Sequence, residues 1–315
     1  MGSKITIIGA GSVGSAIAND IVAMSLATEI VLIDINKQKA FGEATDIFQG
    51  TGFSNPTMVS AGDYPDAVGS SMVIITSGLA RKPGQSRLEL AQANVNILKS
   101  ITPNIVKYCP DAIYIMVANP VDIMTYAFHK ISGVPENHII GSGTVLDTAR
   151  LQVELAKDLD ISPKNVHAHV YGEHGDSSFI PWSLANISNT PIDIYTSRIP
   201  HNDNIAFNGN YEELEHRIRE SGAVVIQAKG ATCFAVAFSV CHIIKAIQNG
   251  AGTSITISTM FNGEYGISDV CMSVLTIVDE NGVRGKIISV LTDDEMAKLQ
   301  NSADKLKEII AGLEL

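Results

Sequence analysis

Lys4-Ile5-Thr6-Ile7-Ile8-Gly9-Ala10-Gly11-Ser12-Val13-Gly14 is the stretch that decides the fold. A short run rich in β-branched residues enters three glycines spaced G-x-G-x-x-G, and a stretch of helical apolar periodicity follows. Strand, glycine turn and helix in that order form the opening unit of a dinucleotide-binding fold. The first glycine permits the tight turn, the second lets the backbone approach a pyrophosphate, and the third allows close helix–strand packing. The helix start then offers free N–H groups and the positive end of its dipole to the phosphates. Asp34 closes the next candidate strand, about 20 residues beyond the turn. A carboxylate there accepts hydrogen bonds from ribose hydroxyls and repels a 2′-phosphate, which favours NAD over NADP. Gly9, Gly11, Ser12, Val13, Gly14 and Asp34 are therefore candidate cofactor-binding residues. The competing reading, a glycine turn in an ordinary α/β fold with a solvated Asp, explains neither the spacing nor the acid.

The alternation continues outward from this stretch. Apolar runs at 5–8, 29–33, 58–60, 73–76 and 112–117 read as strands, and 13–24, 37–48, 88–107 and 121–131 read as helices. Continuous apolar strands separated by helices imply a parallel sheet covered on both faces. The second half has a different character. A helix at 144–159 precedes short strands and turns over 166–189. One long helical stretch over 212–249 follows, then further strands and a closing amphipathic helix at 293–311. The expectation is an α/β chain with a Rossmann doubly wound parallel sheet over 1–143 and an α+β substrate domain over 144–315.

Bulk properties narrow the function classes. The chain has 315 residues, with 45% hydrophobic and 17% charged residues, as a folded protein does. Its net charge of -11 disfavours nucleic acid, whose phosphates need clustered Lys and Arg. Cys109, Cys233, Cys241 and Cys271 form no CxxC pair and sit in apolar contexts, so they read as buried thiols in a reducing cytosol. No His/Asp/Glu cluster has metal-ligand spacing, so no metal is expected. The first residues run directly into a strand without a leader pattern, and no apolar stretch is long enough for a bilayer. The expected setting is cytoplasmic, without membrane or nucleic-acid partners.

Four further motifs carry chemistry. Tyr171-Gly172-Glu173-His174-Gly175-Asp176-Ser177 presents a histidine that needs partners before it means more than a structural residue. Leu146-Asp147-Thr148-Ala149-Arg150 places an acid and a base three apart on one helix face. A polar stretch from Gly78 through Arg81 to Arg87 precedes the long first-half helix. Asn119-Pro120-Val121-Asp122 closes the fifth strand, where ligands of doubly wound sheets gather.

On these motifs the chain resembles the lactate/malate dehydrogenase family along essentially its whole length. The resemblance implies a hydride transfer between NAD and a small 2-hydroxy or 2-oxo acid. It implies that His174 is the acid/base, that Asp147 orients it, and that Arg87, on a closing lid, polarises the substrate carbonyl. Arg150 is implied to grip the substrate carboxylate, with Asn119 and Thr232 in the same pocket, and Gly78 and Asn119 beside the cofactor. The family also implies a homo-oligomer, with a tetramer expected.

The substrate is open at this level. Arg81, six residues before the lid arginine, is the residue that malate enzymes carry, and a cation there favours a second carboxylate. The GSGTVLDTAR, GEHGDS and KGAT segments belong instead to the lactate-type frame. Gly222, where lactate enzymes commonly carry Ala, is expected to give the pocket extra room. Lactate is the expected substrate and malate the alternative. A noncatalytic NAD-binding protein that kept the fold is a third reading, which the presence of every catalytic partner opposes.

Overall fold

The computed structural model describes residues 3–80, 84–198, 207 and 209–315. The first half contains β1 (Lys4–Ile8), α1 (Ser12–Ala23), β2 (Glu29–Ile33), α2 (Lys37–Gly50), β3 (Met58–Ala61), β4 (Met72–Ile75), α3 (Arg87–Tyr108), β5 (Ile113–Met116) and α4 (Val121–Ser132). Next come β6 (Ile139–Gly141), α5 (Val145–Asp158), β7 (Val166–His167), β8 (Asn186–Ile187), β9 (Thr190–Pro191) and α6 (Ile192–Arg198). The chain finishes with α7 (Tyr211–Lys229), α8 (Phe234–Gln248), β10 (Thr253–Asn262), β11 (Ser268–Asp279), β12 (Gly282–Lys286) and α9 (Asp293–Ala311).

The first six strands lie in the order β3-β2-β1-β4-β5-β6 and pair in parallel throughout. Side chains alternate across this sheet and feed two apolar layers. Ile5 and Ile7 pack with α1 and α8 on one face, while Ile8, Val73 and Ile75 pack with α3 and α4 on the other. β1, β2, β4 and β5 are buried on both sides and so are near-continuous apolar runs, whereas β3 at the sheet's edge alternates, with Val59 buried between exposed Met58 and Ser60.

The predicted strands and α-helices of the first half fall within a residue or two of those observed, with one strand omitted. β6 is only three residues long and ends in glycine, so it leaves no run to detect. In the second half, the helical stretch expected over 212–249 is two helices. Gly230 caps α7 with a left-handed φ of 88°, and Ala231, Thr232 and Cys233 bridge to α8. Apolar residues continue on both sides of this break, so periodicity alone hid it. Gly230 was the available signal, since a positive φ costs a residue with a Cβ about 1–2 kcal/mol.

The sheet does not end at β6. β10 joins it antiparallel through Ser258 opposite Gly141, and β11 and β12 extend it to nine strands. This seam is built from small residues. A Cβ on Gly141 would lie 2.3 Å from Thr125 Oγ1, and one on Gly143 would lie 2.3 Å from Ser273 Oγ. The Thr144 amide donates to the same Ser273 hydroxyl at 3.1 Å. A main-chain bridge from Gly172 to Ser273 brings the histidine loop down onto β11, next to the start of α5. Among the described residues, no helix is long and apolar enough to cross a membrane.

Candidate active site

Gly9, Gly78 and Asn119 follow β1, β4 and β5, so the expected site lies along the carboxyl edge of the parallel sheet. Two glycines of the turn are demanded by the protein's own packing. Gly9 has a φ of 108°, and a Cβ there would sit 2.5 Å from Thr76 Oγ1. A Cβ on Gly14 would lie 1.8 Å from the Gly9 carbonyl oxygen. Gly11 is different: a Cβ there would meet no protein atom within 4 Å. It caps α1 without a side-chain hydrogen bond, and the first turn, beginning Ser12-Val13, holds no acid. Protein packing therefore leaves open the space above Gly11, at a helix start whose donors no side chain among the described residues caps, and a pyrophosphate fits that description. Asp34 stands beside it, accepting from the Ala10 amide at 2.7 Å and the Asn36 amide at 2.8 Å. The neighbouring Ile35 is fully exposed and sets an apolar face beside Asp34 that the sequence alone did not single out.

Across the sheet edge, His174 Nδ1–H donates to Asp147 Oδ2 at 2.5 Å. Arg150 Nη1 donates to the other oxygen, Asp147 Oδ1, at 2.9 Å. Asp147 lies in the first turn of α5 and Arg150 one turn later, so helix register sets their pairing. Burial works against the Asp147 carboxylate, but His174 and Arg150 together outweigh it and hold its pKa below the usual value. The attraction of Asp147 is the largest influence on His174 and outweighs the ring's own burial, lifting its pKa to about 9. A neutral-pH imidazole in this setting carries its proton.

Asn119, Asp147, Arg150, His174, Gly222 and Thr232 line one cleft of about 280 Å³. Thr232 reaches it from the break between α7 and α8. A Cβ on Gly222 would stand 3.7 Å from the Arg150 guanidinium, in ordinary contact, so glycine leaves that volume free as expected. A smaller cavity of about 170 Å³ shares Asn119 and His174 and adds Arg87 and Glu173. Arg87 is the first residue of α3, and its guanidinium donates to Glu173 Oε1 at 3.0 Å and to Asp176. Arg81 lies outside the described residues. A larger cavity of about 490 Å³ behind α5 contains none of these groups.

Asn94, Asp122 and Glu173 were given no role from sequence. Asn94 is fully buried in α3 and ties two loops together. Its Oδ1 accepts from the Leu79 amide at 2.7 Å, and its Nδ2 donates to the Asn119 carbonyl at 2.6 Å. An asparagine within the apolar face of a helix was its available signal. The four cysteines are buried and free, and the described residues contain no cluster suited to a metal.

A nucleotide cradle beside a carboxylate-backed imidazole defines an NAD-dependent oxidoreductase acting on a CH–OH group. Comparison with known proteins agrees with that class. The family model for the lactate/malate dehydrogenase NAD-binding domain matches residues 3–141, and that for the α/β C-terminal domain matches 144–314. The chain belongs to the lactate/malate dehydrogenase family. It is 43% identical to an L-lactate dehydrogenase of Clostridium botulinum (strain Hall), covering 98% of this chain and 96% of the relative. It is 44% identical to one of Acetivibrio thermocellus, covering 99% and 98%. The crystal structure of the minor L-lactate dehydrogenase from Enterococcus mundtii superposes with a TM-score of 0.94 at 35% identity, covering 100% of this chain and 99% of that one.

Replacing Asp34 with Ser removes the anion beside the ribose position and the acceptor of the Ala10 amide. The preference for NADH over NADPH, measured as a ratio of kcat/KM values, should fall tenfold or more, about 1.4 kcal/mol. An unchanged ratio would remove Asp34 from cofactor selection.

Proposed function

We propose that the chain is an L-lactate dehydrogenase, reducing pyruvate to lactate and running the reverse reaction. The observation that carries the chemistry is the Asp147 carboxylate held between His174 and Arg150 at the cleft. The choice of lactate is supported by relatives of that name at 43% and 44% identity over nearly the whole chain.

When bound, NADH supplies the hydride. Asp147 occupies Nδ1 of His174, so Nε2 is the nitrogen that exchanges a proton with the substrate oxygen. The proton passes from Nε2 to the carbonyl oxygen in reduction and returns in oxidation. Arg150 grips the substrate carboxylate, where the planar fork of a guanidinium gives two parallel hydrogen bonds that a Lys could not. Arg87 stabilises the negative charge that develops on the carbonyl oxygen, a contribution that needs it to turn from Glu173 and Asp176 toward the cleft. Asn119 donates in the same region, and Thr232 lines the wall next to the substrate methyl. The division at Gly143 between cofactor-binding and substrate-binding parts belongs to the same reading.

Arg81 favours malate as a second reading, since a cation at that position suits a second carboxylate. The cytoplasm as location and a homotetramer as assembly also belong to this proposal. Phe41 and Phe48 on α2 and Phe234 and Phe238 on α8 stand exposed, as a contact between copies requires. Sedimentation equilibrium at micromolar concentration should give an oligomer, and a monomer would overturn that part.

His174→Gln should lower turnover by about 10²–10⁴-fold while NADH still binds; retained turnover would remove the acid/base role. Reduction uses the protonated ring and oxidation the neutral one. The reductive kcat/KM should therefore fall as pH rises through about 9, while the oxidative value rises over the same range. A reductive profile flat past pH 10 (about one unit above that midpoint) would contradict the assignment. Efficiencies on pyruvate and oxaloacetate, compared for the wild type and Arg81→Gln, decide the substrate. Pyruvate should be preferred in both, with the substitution adding tenfold or more, roughly the worth of a lost charged contact. A wild type that prefers oxaloacetate would make the chain a malate enzyme.

A further inference from the structure

Asp122 sits in the first turn of α4, three residues past Asn119, and is 2% exposed. Its Oδ2 accepts from the main-chain N–H of His174 at 2.7 Å. Its other oxygen is buried beside the hydroxyl of Ser258, a neutral donor that eases the cost of the charge without removing it. A buried carboxylate met only by one main-chain amide and one hydroxyl is still expensive, and an amide would accept the same main-chain bond with far less desolvation cost. An acid at this place therefore calls for a reason that an amide would not satisfy.

The reason lies in what faces it. We propose that Asp122 is a positioning residue that fixes the backbone of His174 and sets a second carboxylate against its ring, so that two acids rather than one retain the catalytic proton. This rests on the reading of His174 as the acid/base.

The charges around the ring can be named element by element. α5 contributes Asp147, in direct contact, and Arg150, which opposes protonation. α4 contributes Asp122, which favours it. The histidine loop itself contributes Glu173, whose charge is matched by Arg87 from α3. Asp147 divides its two oxygens between the ring and Arg150, so part of its field is offset by that cation. Asp122 forms no salt bridge with Lys or Arg among the described residues, and the cation it faces is His174 itself when protonated. Burial is the largest influence on Asp122 and, with the nearby Glu173 charge, pushes its pKa up to about 6, against the Ser258 hydroxyl and then the main-chain hydrogen bond and charge of His174, which lower it. It is therefore largely ionised above neutral pH, over the range in which His174 titrates. Retention of the proton by two carboxylates favours reduction over oxidation in weakly alkaline conditions.

The test is Asp122→Asn in the full-length chain, which keeps an acceptor for the His174 amide and removes the charge. The ring of His174 is titrated by NMR, its resonance assigned with His174→Gln, alongside the pH profile of pyruvate reduction. The ring should titrate about one pH unit lower, a tenfold weaker hold on the proton, and the alkaline fall in kcat/KM should move with it. An unchanged ring titration overturns the inference and leaves Asp122 a purely structural acceptor. A ring that moves while the kinetic profile stays in place upholds Asp122 and instead rejects His174 as the acid. Should the variant not fold, the Asp122 carboxyl carbon, assigned through its backbone in the wild type, decides. Its resonance should move a second time as His174 titrates, and a single inflection near its own pKa overturns the proposal.

Discussion

The two oxygens of the Asp147 carboxylate are the fixed point of this site. One holds His174 and the other holds Arg150, so the distance between imidazole and guanidinium is set by the width of a single functional group. Taking that carboxylate out of water costs several kcal/mol on its own. The cost is met because both lone-pair directions find charged donors, and because Arg150 arrives one helical turn later without any loop to order. Loss of either partner would leave a buried charge half compensated, which makes the three residues one unit rather than three contributions.

The histidine must be delivered to that carboxylate from another part of the chain, and small residues do the delivery. Gly172 has a φ of 89°, and a Cβ there would come 2.7 Å from Ser302 Oγ. The same hydroxyl accepts from the Glu173 amide at 2.7 Å, so α9 sets the height of the loop. Asp122 then holds the next amide, that of His174. Three successive residues are thus tied to β11, α9 and α4, and the ring has little freedom left to miss its partner.

Much of this was legible in the sequence, for a physical reason. Strands buried on both faces write themselves as continuous apolar runs, and the glycine turn is a local backbone requirement, so β1, β2, β4, β5 and the turn after β1 could be read directly. His174, Asp147 and Arg150 lie in short motifs whose meaning came from family resemblance; only the i,i+3 pair could be argued from spacing. What escaped reading depends on long-range contact. Asn94 acts on residues 15 and 25 positions away, and Glu173 meets Arg87 across 86 positions. The division of 212–249 into α7 and α8 was hidden for the opposite reason: the local pattern was uninterrupted, and the glycine that breaks it was read only as part of a motif.

The seam between β6 and β10 governs how the molecule can move. Because strands from both halves belong to one sheet, zipped by Ser258 opposite Gly141 and locked by Ser273 under Gly143 and Thr144, the halves have no free hinge between them. Opening them against each other would break main-chain pairing of the sheet itself. Changes of shape along the carboxyl edge then fall to its loops, with the times and amplitudes of loops rather than of domains, over a shared floor.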